Sequence, residues 1–261
     1  MGHERLGTLP KTQRWQQVIR QISDFSISND DVAEIVRQTT QNVRSRFRNI
    51  HIDSGVQAAF KSLVILPIAS GSQNPQQILS DNGIEIPANP TPLSFAKGVR
   101  ELVTAKRSSL EYGQIAQSAA ADAIAIWYEK NRDTQASFFE RSDDPLNIWR
   151  KARSGAGFCE LARLFFAKFT ERYLNYFLER EASSHIRDFH EREQFSQKLR
   201  EHVDVVSKHA FETAKITQSF AAGWFNKYAT EGIPSDKEVE SFLFTAFGKI
   251  SEELRREGDI A

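Results

Sequence analysis

The chain has 261 residues, with 34 Lys and Arg against 34 Asp and Glu and 40% apolar side chains, enough length for one large domain or two small ones. Nineteen Phe, four Trp and five Tyr exclude a disordered chain, one Cys excludes a disulfide scaffold, and 13 Gly without a period exclude a collagen-like one. A formal charge of zero removes the overall basicity of a dedicated DNA-binding domain.

The opening residues MGHERLGTLPKTQRWQQ lack the apolar centre of a secretory signal, and the lone Cys159 suits a reducing compartment, so a cytoplasmic location is expected. After Thr12, Trp15, Val18, Ile19 and Ile22 repeat at helical spacing. A second helix is expected from Ser28, with Asp30 and Asp31 set favourably against its dipole, burying Val32, Ile35, Val36, Val43 and Phe47. A third, from Ser54, carries Val56, Ala59, Phe60, Leu63 and Val64 and is expected to break at Pro67. The charge-free stretch Ser62 to Ser80 has the length of a membrane span, but only Leu63 to Ala69 is strongly apolar and SGSQNPQQ follows. No membrane span is expected.

Five of the eight prolines crowd into residues 67–92, which predicts a loop-rich connector. Within it, Asn74-Pro75 opens one short helix that Gly83 stops, and NGIEI is expected to be briefly extended. Thr91-Pro92 opens a helix bearing Phe95, Val99, Leu102 and Val103; residues 108–131 form the next. Asp144-Pro145 begins a short piece with Leu146, Ile148 and Trp149, and SGAG at 154–157 is expected to end it.

From Phe158 to Phe177, seven aromatics (Phe158, Phe165, Phe166, Phe169, Tyr173, Tyr176 and Phe177) share one helical face. Leaving them in water forgoes roughly 1.5–3 kcal/mol each, against a whole-domain stability of about 5–15 kcal/mol, so they must be covered. From Leu199, the positions Val203, Val206, Ala210, Thr213, Thr217, Ala221, Trp224 and Tyr228 step mostly by fours and threes, the pattern of an antiparallel hairpin or coiled-coil seam. An unbroken helix over residues 186–230 would span about 67 Å. It must either break between Phe189 and Phe195 or project as a stalk. Gly232 and Pro234 stop the run, and Ser235 with Glu238 forms a capping box for a last helix carrying Val239, Phe242, Leu243, Ala246, Phe247, Ile250 and Leu254. The fold expected is all-α: an N-terminal helical unit over 1–70, a Pro/Asn/Gly-rich connector over 71–94, and over 95–261 a multi-helix bundle with a long heptad-patterned C-terminal hairpin.

P-loop, dinucleotide-binding, nucleophile-elbow, zinc-protease and EF-hand patterns are absent from the sequence, and no His follows Glu at the three-residue spacing of a di-iron bundle. His185, His190, His202 and His209 cluster on helical faces, but a pair of ligands is not a site, and no metal or cofactor is expected. Arg180-Glu-Ala-Ser-Ser-His185 has R-x4-H spacing. Over these six residues the chain resembles the motif of HEPN-type ribonucleases, an all-helical family in which Arg and His converge on the RNA backbone. The resemblance implies His185 as general acid/base and Arg180 as phosphate holder, with Glu181 standing where the family often has a small polar residue. A basic run, Arg37, Arg44, Arg46 and Arg48, lies between Ile35 and Ile52 without an acid. Arg37, Arg44 and Arg48 share a face that could engage phosphates. Trp149-Arg150-Lys151-Ala152-Arg153 is a second cationic cluster, whereas residues 233–261 carry 7 acids against 4 bases. The functional expectation is a non-enzymatic intracellular scaffold or complex subunit with a protein partner or a second copy of itself. The alternatives are a HEPN-like ribonuclease of toxin or antiviral type and a nucleic-acid-binding module.

Overall fold

The computed structural model describes residues 12–25, 32–106, 110–131, 146–212 and 215–260. Among them every regular element is helical and no strand occurs. In chain order these are α1 (Gln13–Ser23), α2 (Val32–Asn49), a 3-10 turn (Ile50–Ile52), α3 (Ser54–Ser70), α4 (Pro75–Asp81), α5 (Pro92–Ala105), α6 (Leu110–Asn131), α7 (Asn147–Lys151), α8 (Gly155–His185), α9 (Phe189–Glu212), α10 (Lys215–Glu231) and α11 (Asp236–Ile260).

Side-chain caps set several of these starts by satisfying backbone donors that have no partner within the helix. Thr12 accepts from the Trp15 amide at 3.2 Å, and the Asp53 carboxylate accepts from the amides of Gly55 and Val56. Thr91 and Ser94 cap α5 reciprocally. At α11 the Glu238 carboxylate accepts from the Ser235 amide at 2.8 Å while Ser235 Oγ accepts from the Glu238 amide, the capping box that the sequence predicts. The expected cap at Ser28 lies outside the described residues, as do Asp144-Pro145 and the side chains of Val43 and Phe47.

Four local expectations are corrected. Helix α3 does not break at Pro67 but runs on to Ser70. The proline forfeits one backbone bond near the helix end, while Ile65, Leu66 and Ala69 are fully buried and Ser70 Oγ donates to the Pro67 carbonyl, so packing holds the last turn. SGAG opens α8 instead of closing α7: Ser154 Oγ accepts from the Gly157 amide. Its glycines serve close packing, because a Cβ on Gly157 would lie 2.2 Å from the Lys151 carbonyl and one on Gly155 2.7 Å from Ala222. The C-terminal run breaks at residues 186–188, ahead of the expected window, where the Asp188 carboxylate caps α9 by accepting from the Glu191 amide at 2.9 Å. Residues 84–87 form no strand; buried Ile84 instead rests against α5, whose Gly98 leaves room for the Glu85 carbonyl.

The interior is one continuous cluster that takes in Trp15 and Ile35, Phe60 and Val64, Leu79 and Ile84, and then Phe95 through to Leu254. Helices α3 and α8 are its two axes. Thirteen of the 17 residues of α3 are buried, as expected of a helix apolar on all sides, and it packs on α4, α5, α6, α7, α8 and α11. Helix α8 lies against α1, α6, α9 and α10. Where α3, α8, α10 and α11 meet, Phe60 stacks on Phe242 at 5.1 Å and also touches Phe158, Phe165 and Phe166. Phe158 stacks on Phe225 at 4.3 Å, and Phe247 stands edge-on to Phe166 and Phe169. Such ring pairs add about 0.5–1.5 kcal/mol each beyond their buried area. All but Tyr176 of the seven aromatics on α8 are fully buried, and Tyr176 is partly covered.

Candidate functional site

The residues singled out by sequence occupy three separate places. His185 ends α8 with its ring exposed; Nδ1–H donates to the Glu181 carbonyl at 2.9 Å and lies 3.6 Å from the Glu181 carboxylate. That carboxylate is itself buried and accepts from Trp15 Nε1 at 3.2 Å, which ties α1 to the end of α8. The side chain of Arg180 lies outside the described part, as do those of Arg44, Arg46 and Arg48. Arg37 is described: its guanidinium donates through Nε at 2.6 Å and Nη2 at 2.5 Å to Glu34, one residue before the acid-free window begins. The hydrogen bond from Arg37 holds the Glu34 carboxyl below its ordinary range. The second cationic cluster caps helices, with Arg150 Nε donating to the Ser70 carbonyl that ends α3 and Lys151 Nζ to the Asn131 carbonyl that ends α6.

Among the described residues no group of three or more His, Cys, Asp or Glu is arranged so as to hold a metal ion. His209 Nε2 lies 3.3 Å from Glu253, crossing from α9 to α11. Burial pushes the Cys159 thiol up to about 11, away from the thiolate form a nucleophile requires.

A polar cleft of about 270 Å³, which the sequence did not reveal, opens where α3, α4, α5 and α11 converge. Ser54, Gln57, Lys61 and Ile65 line it from one face of α3. Asp81 and Asn82 come from the end of α4, Lys106 from the end of α5, and Asp236 from the first turn of α11. Its central pair is Lys61 Nζ donating to Asp236 Oδ1 at 2.7 Å. The Lys61 ammonium holds the Asp236 carboxyl below the usual range, and Lys106 adds to this at longer range. These charges therefore clasp α3 to α11. Similar pairs join α6 to α8 (Arg172 to Asp122 at 2.6 Å) and α8 to α9 (Arg163 to Asp204 at 3.1 Å), so the balanced charge is spent in part between neighbouring helices.

The outer face of α11 is different. Lys237, Ser241, Phe244, Gly248 and Glu252 follow one another at helical spacing and all are exposed. The chain from Ser241 to Gly248 carries no charge. Phe244 is 61% exposed, with one side of its ring edge-on to His51 at 5.0 Å, and Ile52 beside His51 is 58% exposed. A Cβ on Gly248 would meet nothing within 4 Å, so no intramolecular packing requires glycine there. Glycine inside a helix costs about 0.5–1 kcal/mol relative to alanine. Sequence periodicity assigns Phe242, Leu243 and Phe247 inward and leaves Phe244 on the polar side; a large aromatic standing off the apolar stripe was the available signal.

No protein-family model, no curated protein and no solved structure matches the chain.

Proposed function

We propose that this protein is a non-enzymatic cytoplasmic scaffold or complex subunit that works through a helical protein–protein interface, and that the outer face of α11 is that interface. The observation that carries the reading is Phe244. Single exposed apolar residues are common, but this one adjoins Ile52 and His51 and lies within about two uncharged helical turns, residues 241–248. Aromatic anchors surrounded by uncharged, closely approachable backbone are what buried interface centres use. Gly248 supports the same reading, because an unneeded glycine on a surface helix lets another helix come near. The remainder of the architecture is read as a bundle around α8, with α9 and α10 as its heptad-patterned hairpin, supported by the packing of both on α8 and on each other.

The test is the mass in solution, by light scattering, of the protein isolated from its native host, compared with a Phe244→Glu variant. The expected result is a stoichiometric assembly larger than the 29.7 kDa chain that the substitution reduces to a single chain with an unchanged melting temperature. A wild-type protein that is always one chain, with nothing bound, overturns the reading.

A further inference from the structure

We infer that the face of α11 pairs with the same face of a second copy of this chain, the two helices running antiparallel about a two-fold axis between Phe244 and Thr245. The inference rests on the interface reading and names its partner. An isologous contact requires that each residue face its mirror in the numbering. About an axis at the middle of Phe244-Thr245, residue 237 faces 252, 241 faces 248, and 244 faces 245 of the other copy. The sequence satisfies each of these. Lys237 meets Glu252 of the second copy at both ends, Ser241 meets the bare backbone of Gly248, and the Phe244 ring is set against Thr245.

Two details favour this occupant over an unrelated one. Lys237 stands in the first turn of α11, where the helix dipole disfavours a cation, and it has no ion-pair partner among the described residues. Glu252 is held by Arg256 at 3.2 Å in a solvent-exposed i,i+4 pair that contributes little, so it can turn to a lysine across the axis at little cost. Between these charged ends the face from 241 to 248 is uncharged, small at Ser241 and Gly248 and large only at Phe244, so that each ring fits where the opposing helix is slim. Ile52 and His51, on the 3-10 turn beside Phe244, widen the contact beyond the two helices.

Sedimentation of the purified full chain tests the pairing through charge reversal. Lys237→Glu places two carboxylates opposite each other at each end, and Glu252→Lys places two ammoniums there; each variant should weaken self-association by about tenfold or more. Mixed together, the two variants should recover a dimer, since every facing pair is again opposite in sign. Gly248→Leu, which nothing within 4 Å opposes in the folded chain, should keep or raise the melting temperature and abolish the dimer. Dimers unaffected by both reversals and by Gly248→Leu overturn the inference. So does a wild type that stays monomeric at high micromolar concentration: if it still carries a stoichiometric host protein that Phe244→Glu releases, the interface reading survives, and if it carries none, both fall.

Discussion

Glu238 concentrates more interactions than any other carboxylate near the start of α11. Its Oε2 accepts from the amide and hydroxyl of Ser235, its Oε1 accepts from the Tyr228 hydroxyl at 2.6 Å, and Lys227 stands 3.9 Å away. These bonds, the Tyr228 one foremost, pull its titration down to about 2 from an ordinary 4.5. A depressed carboxylate stabilises the folded state above its unfolded value, and that contribution disappears as the pH falls through the folded value. The stability of this protein should therefore drop between pH 4.5 and about 2, and Glu238→Gln should flatten that limb in urea titrations. An acid limb of the same steepness in the variant contradicts the assignment. The Ser235–Glu238 box was legible because its partners sit only three residues apart on the chain. The Asp188 cap of α9 has the same local grammar, three residues before Glu191, but stood inside a stretch whose periodicity alone suggests one continuous helix.

At the scale of elements, Phe60 is where α3, α8 and α11 lock together. It is fully buried against Phe158, Phe165, Phe166 and Phe242, and truncation would leave a cavity that four rigid rings cannot fill. Phe60→Ala should cost about 3–5 kcal/mol, a large part of the stability of any domain, whereas Phe244→Ala should change folding by no more than about 0.5 kcal/mol. Chemical denaturation of the two variants decides it, and equal costs would mean that one of the two rings is misplaced. Which helices form was readable because each carries its own apolar stripe, and on α8 the stripe is aromatic enough to demand cover. Where they end was less readable. Pro67 is kept helical by neighbours far away in sequence, and Gly155 and Gly157 answer to Ala222 and the Lys151 carbonyl, contacts that no local window contains. The polar cleft escaped notice for the same reason, because Lys61 and Asp236 are separated by most of the chain.

At the scale of the whole molecule, most of the apolar content is drawn inward and part of the charge is paired between neighbouring helices, while the outer face of α11 keeps Phe244 exposed in an uncharged stretch between Lys237 and Glu252. The central claim is that the aromatic segment of α8 is permanently closed and that association takes place on α11. Native-state hydrogen exchange at low and high protein concentration tests both halves at once. Amides of residues 158–177 should exchange only through global unfolding at every concentration, while those of residues 241–248 should gain protection as concentration rises. Exchange of residues 158–177 by local opening, or protection that rises there and not on α11, would contradict the account.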